Sequence, residues 1–145
     1  MPIKRFHIPA LILGKDIECK KVSRVASQID MLPTLMSLIG VQAEIPAIGI
    51  DQTGEDIDTI PGRAIMQFSG NQAYMEDDKV VILSPGQIPM HYKYHNQGLL
   101  PLDAIDKSFE KKALVHSIWS TMAYENRLYR NDYNLTKDAK LLADE

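Results

Sequence analysis

The chain has 145 residues, 45% hydrophobic and 24% charged, the size and mix of a globular domain with a real core. Its net charge of −3 leaves no electrostatic footprint for nucleic acid or an anionic membrane surface. The single cysteine, Cys19, excludes an internal disulfide and says nothing about compartment.

The first element is the apolar run Ile8–Leu13 (IPALIL), closed by Gly14. Two basic residues precede it, which gives the N-terminus a faint likeness to a signal peptide. The run is too short, Pro9 interrupts it and no small-residue cleavage site follows, so that reading is rejected. It is also far below the roughly 20 residues that span a bilayer. A continuous apolar run of this length fits a strand buried on both faces, yet such a strand needs neighbours and the rest of the chain supplies few.

Residues 15–25 are charged and irregular. A helix is then predicted over about 31–39, with Asp30 as N-cap, Pro33 in the first turn and Gly40 just past the end. Leu32, Leu35, Met36 and Ile39 recur at i, i+3, i+4 and i+7 and give it one apolar face. Residues 41–62, with Pro46, Gly49, Gly54, Pro61 and Gly62, form a long surface connection. Four short strands follow at Ala64–Phe68, Gln72–Met75, Lys79–Ser84 and Met90–Tyr94, so closely spaced that they must form antiparallel hairpins. A second helix runs roughly from Ser108 to Arg127. Its predicted buried stripe is Val115, Ile118, Trp119 and Met122, widened by Leu114, and it covers one face of the sheet. The polar tail 131–145 is a short helix or a frayed end.

Candidate chemistry is sparse. GxGxxG, GxxxxGK[ST], HExxH, CxxC and GxSxG are all absent. His91 and His95 share a strand face and form either a metal pair or two exposed strand histidines, with no acid or cysteine spaced to complete a metal site. His116 lies on the second helix, half-buried or at the surface. Asp30 is a general base, a metal ligand or simply a helix cap, and the cap gives it a complete structural task. His7 lines a site or plays a peripheral role. Cys19 sits beside Lys20 and Lys21, which favour a thiolate, but it has no histidine partner in its surroundings. Asn134-Leu135-Thr136 matches a glycosylation triplet that is common by chance.

FHIPALILG, VSRVASQIDMLPTLMSLIG, IGID and PGRAIMQFSGNQAYMEDDKVVIL together resemble the C-terminal stretch of sulfatase-like proteins in the alkaline phosphatase superfamily. The nearest likeness is to the lipoteichoic-acid-synthase and phosphoglycerol-transferase branch. In that family an "hiPlli" strand precedes a "SQiDl-PTLL-LlG" segment, matched here by Ser27, Gln28, Ile29, Asp30, Pro33, Thr34, Leu35 and Gly40. The likeness covers residues 6–84 well and the second helix more loosely.

The resemblance implies a metal-dependent parent, often with manganese, in which a threonine nucleophile attacks phosphorus and forms a covalent intermediate. The last of the family's metal ligands is an Asp-His pair upstream of the "hiP" strand, and this chain contains no Asp-His dipeptide. No catalytic or metal residue carries over. His7 is the one matched position expected near substrate. The resemblance therefore implies an α+β fragment of an α/β alkaline-phosphatase-like fold. It would hold an antiparallel sheet of about four strands under a C-terminal helix, an orphaned apolar strand and a short amphipathic helix. Residues 1–60 would be a piece of the large domain and 61–145 the small C-terminal subdomain.

The implied parent is membrane-anchored with this part on the periplasmic or extracellular side, the chain itself being soluble. Its expected partners are the rest of the catalytic domain, a phospholipid head group and a glycan acceptor, with no nucleic acid. Self-association through the orphaned strand is a further expectation. Sulfate ester or phosphodiester hydrolysis, a non-enzymatic α+β interaction domain, and a small stand-alone enzyme using His7, His91 or His95 are the rival readings.

Overall fold

The computed structural model describes residues 1–42, 48–119, 121–122 and 125. Five strands follow one another in chain order: β1 Arg63–Phe68, β2 Asn71–Glu76, β3 Lys79–Leu83, β4 Met90–His95 and β5 Gly98–Pro101. They lie side by side in that same order, each antiparallel to the next. Two helices accompany the sheet, α1 at Met31–Leu38 and α2 at Lys107–Leu114. A π-helical turn, Val115–Trp119, continues α2.

The expected hairpins are present, and the sheet gains a fifth strand. The β1–β2 loop is Ser69-Gly70 at φ 49° and 76°, and the β4–β5 loop is Asn96-Gln97 at φ 48° and 61°. Positive φ at both central positions belongs to the two-residue turns whose twist matches that of paired strands. β5 escaped the sequence reading because Asn-Gln replaces the usual Asn-Gly. Pro101, the last residue of β5, lies at the sheet edge where a missing N–H is tolerated.

The sheet is covered on both faces. Met66, Ala73, Met75, Val80 and Ile82 face one way and pack with Ile3, Met1, Phe6 and Val25 from the chain's beginning. Ile3 belongs to the 3₁₀ turn Ile3–Phe6. Tyr74, Val81 and Leu83 face the other way, against Phe109 and Ala113 of α2. Double coverage explains why β3 is buried at four consecutive residues, Val80–Leu83, rather than alternately.

The second helix covers the sheet as expected, but with a different face. Phe109, Ala113 and Ser117 are buried, four residues apart, whereas Val115, Ile118 and Met122 of the predicted stripe are exposed. The small side chains of Ala113 and Ser117 let the helix approach the sheet closely, which larger apolar residues would prevent. The Trp119 side chain, the tail 131–145 and the Asn134 triplet lie outside the described residues.

α1 ends as its sequence demands. Gly40 at φ 72° donates to the Ser37 carbonyl at 3.0 Å, and Val41 donates to Met36 at 2.9 Å, a Schellman closure. Its apolar face is uncovered: Leu32, Leu35, Leu38 and Ile39 are exposed, while Thr34 is its one buried residue. The run Ile8–Leu13, expected as a strand buried on both faces, is not a strand: its backbone has no regular structure, and Leu11 and Leu13 are 81% and 83% exposed, because no neighbouring strand among the described residues offers it a ladder.

Candidate functional site

The segments that carry the recurring motif residues converge on Asp30, which is 2% exposed. Its carboxylate is not the helix cap that the sequence suggests, since no α1 N–H donates to it. Asp30 already has helical dihedrals, and its side chain turns back to accept from the Ser27 N–H at 2.8 Å. It also accepts from the Ile50 N–H at 2.8 Å and from the Gln52 amide at 3.2 Å. The Arg63 guanidinium stands 4.0 Å away and donates to the Ile48 carbonyl at 2.9 Å. A buried carboxylate is tolerated where several donors replace its water.

Thr34 extends this knot. Its hydroxyl donates to the Asp30 carbonyl at 2.6 Å and accepts from the Gln52 N–H at 3.0 Å. The Ser27 hydroxyl accepts from the Ile65 N–H of β1 at 3.4 Å. Two glycines complete the arrangement. A Cβ on Gly49 would sit 2.1 Å from the Ile29 carbonyl oxygen, and one on Gly62 would sit 2.6 Å from that of Val25. The SQID, PT, IGID and PGR residues are thus one polar knot that ties α1 and the connection after it to β1. With every Asp30 oxygen engaged by donors, the knot is architecture and leaves no free base for chemistry.

The histidines separate into distinct settings. His91 is buried rather than exposed, because α2 lies over its strand face, and its Nε2 stands 3.4 Å from Glu110 Oε2. Lys107 donates to both Glu110 oxygens, at 3.0 and 3.2 Å. Hydrogen bonding from Lys107, and secondarily from His91, holds the Glu110 carboxyl below its ordinary value. His95, on the same strand, is exposed, so the two histidines do not converge. Sequence reasoning missed Glu110 because its pairing crosses from helix to sheet. His7 is exposed and its N–H donates to the Lys4 carbonyl at 3.3 Å. Cys19 is exposed and free.

A second polar cluster lies under the far end of the same helix. The His116 ring stacks on Tyr74 with centroids 5.1 Å apart and 8° between planes. Burial first, then the nearby Arg63 and Lys112 charges, push the His116 imidazole below its usual value. The Tyr74 hydroxyl donates to Glu76 at 2.9 Å, and Lys112 pairs with the same carboxylate. Burial, then this contact with Glu76, raises the Tyr74 phenol.

Among the described residues no three His, Cys, Asp or Glu side chains come together to hold a metal ion. The described residues therefore offer no donor set that fits the metal that the resemblance implies. No described helix is long and apolar enough to cross a membrane.

Doubly covered sheet, appended helix and polar knot together make an α+β fragment of an alkaline-phosphatase-like fold. No family model matches the chain. Among solved structures it is similar to a protein in the alkaline phosphatase superfamily from Vibrio parahaemolyticus, with a TM-score of 0.77 and 43% identity. The match covers 89% of this chain and 32% of that one, so the chain spans about a third of its neighbour's length. Likeness at this level of identity supports kinship with the alkaline phosphatase superfamily.

Proposed function

We propose that this chain forms the C-terminal, catalytically incomplete portion of a sulfatase-like, metal-dependent transferase. The parent would move phosphoglycerol or phosphoethanolamine from a phospholipid to a glycan-type acceptor, anchored in a membrane with this part facing outward. The observation that carries the reading is the 43% identity over 89% of this chain to a superfamily protein of which it matches 32%. The uncovered apolar face of α1 and the unpaired run 8–13 support it, as surfaces suited to the rest of such a domain. The threonine nucleophile and the divalent metal, manganese by resemblance, belong to that remainder. The chain's own residues contribute scaffold, with His7 the position set nearest substrate.

The test is to produce the chain alone and joined to the coding sequence upstream of it, each with manganese. Lipid substrates would be phosphatidylglycerol and phosphatidylethanolamine, and an aryl sulfate would probe hydrolysis. Transfer by the longer protein and none by the chain alone is the expected result. Hydrolysis of the sulfate ester without lipid turnover would favour the sulfatase reading. Turnover by the chain alone, lost in His91→Ala or His95→Ala, would overturn the proposal in favour of a stand-alone enzyme. The chain alone should also self-associate at micromolar concentration through its exposed apolar surface. A strictly monomeric species in light scattering would contradict that.

A further inference from the structure

Between Arg24 and Arg63 the sequence carries Asp30, Glu44, Asp51, Glu55, Asp56 and Asp58 but no lysine, arginine or histidine. Arg63 reaches Asp30 from outside that stretch. Asp51 has no such partner: among the described residues no Lys, Arg or His nitrogen stands within ion-pair distance of it. We infer that the cleft between α1 and Asp51 is a binding site for a primary ammonium group on a short apolar stem, with Asp51 as its counter-ion.

The cleft has a volume of about 300 Å³, the small end of the range for ligand sites. Pro33, Met36 and Ser37 of α1 line it, with Val41, Gln42 and Asp51. Pro33, Met36 and Val41 give methylene groups an apolar wall. Asp51 gives the charge. The Thr53 N–H donates to Asp51 Oδ1 at 2.8 Å, and the Thr53 hydroxyl lies 2.7 Å from the same atom and 3.0 Å from the Ser37 hydroxyl. Both Thr53 contacts fall on Oδ1, which leaves Oδ2 for a ligand. The Ser37 hydroxyl and the Gln42 amide oxygen are further acceptors for an ammonium, which carries three donors and no acceptor. α1 ends at this cleft, and its C-terminal end favours a cation, yet its last turn holds no basic residue.

Other ligand classes match this lining less well. Anions meet the Asp51 charge with no cation to offset it. A divalent metal ion takes six or more oxygen ligands, several of them charged, and this cleft offers one carboxylate beside apolar walls. Pro33, Met36 and Ser37 recur at helical spacing on a side of α1 separate from Leu32, Leu35 and Ile39. A partner seated on that exposed apolar face therefore leaves the cleft accessible. The inference is independent of the catalytic reading proposed above, because it concerns only this chain's own residues.

Amide NMR of the full chain at neutral pH and constant ionic strength, titrated with n-butylammonium chloride, tests the site. Saturable shifts at Ser37, Gly40, Val41 and Asp51 are expected, with a millimolar dissociation constant, the strength open to a ligand of so few atoms. The neutral isostere n-butanol should bind about tenfold more weakly or not at all. Asp51→Asn keeps the Oδ1 acceptor for Thr53 without the charge and should weaken the ammonium by about tenfold. Glu55→Gln, on an exposed residue outside the cleft, should leave binding within about twofold. Equal shifts with n-butanol, undiminished binding in Asp51→Asn, or the same shifts from calcium chloride at lower concentration would overturn the inference. Should Asp51→Asn fail to fold, nuclear Overhauser contacts from the butyl methylenes to the Met36 and Val41 methyl groups decide in the unsubstituted chain. Their presence supports the site, and their absence at saturation refutes it. The same titration with a capped glycyl-lysyl-glycine tripeptide identifies the source of the group. Tighter binding of the tripeptide assigns the amine to a lysine side chain, equal or weaker binding assigns it to a free aliphatic amine, and either result upholds the site.

Discussion

The backbone N–H of Ile50 donates to the buried Oδ1 of Asp30 at 2.8 Å, across 20 residues of sequence. That bond and its companions from Ser27 and Gln52 make Asp30 the fastening between α1 and the connection that leads into β1. Replacing the carboxylate leaves several buried donors without an acceptor. Asp30→Ala should lower unfolding free energy by about 3–5 kcal/mol, and Asp30→Asn, which points an NH2 at existing donors, by about 2–3 kcal/mol. Urea denaturation followed by far-ultraviolet circular dichroism measures both. Midpoints equal to that of the unsubstituted chain would contradict the knot.

The two cradled glycines should be intolerant of a methyl group. Gly49→Ala and Gly62→Ala place a Cβ 2.1 and 2.6 Å from backbone oxygens that cannot move aside cheaply. Each should destabilise by about 1–3 kcal/mol, as overpacking does. Gly54, with open space around its Cβ position, is the control, and Gly54→Ala should leave the melting temperature unchanged or slightly raised.

The face of α2 that holds the sheet can be read by truncation. Phe109, packed with Tyr74 at a ring separation of 5.7 Å, should cost about 3–5 kcal/mol on mutation to Ala. Met122, which the helical pattern alone would bury, is 63% exposed, and Met122→Ala should stay within about 0.5 kcal/mol. Thermal melts of the two variants separate the observed stripe from the predicted one.

Tyr74 gives the chain an alkaline sensitivity. Burial and the Glu76 contact raise its phenol in the folded state. The stabilisation that this provides is complete below the phenol's unfolded value, near pH 10, and is lost as pH rises above it. Unfolding free energy should therefore fall with rising pH in that range. Tyr74→Phe should flatten the slope, and an equally steep slope in that variant would assign the effect elsewhere.

What could be read in the sequence depended on how local the cause was. The hairpins from β1 to β4 and the end of α1 at Gly40 follow from residues next to one another, and all were legible. β5 was missed because Asn96 and Gln97 adopt turn dihedrals that their identities signal weakly. The helix stripe was misplaced because periodicity finds apolar residues, while the sheet selected the small ones at Ala113 and Ser117. Asp30 was seen as a cap because its acceptor role spans residues 27, 50, 52 and 63, and no local pattern links those positions. The resemblance of the SQID and PGRA stretches marked the right residues without revealing that they touch. His91 was assigned to the surface because Glu110, its partner, comes from a helix that the strand pattern does not mention.

The order of the strands in the sheet is the order in which a ribosome would make them, and each pairs with the one just finished. Such a meander closes only short loops, the topology that folds quickly. Ile3 is different: it precedes every strand of this sheet in the chain, yet it belongs to the core that holds Met66, Val80 and Ile82. During synthesis the segment around Ile3 must therefore stay uncommitted until this sheet appears. The interval between those two events is when nascent copies have most opportunity to stick to one another.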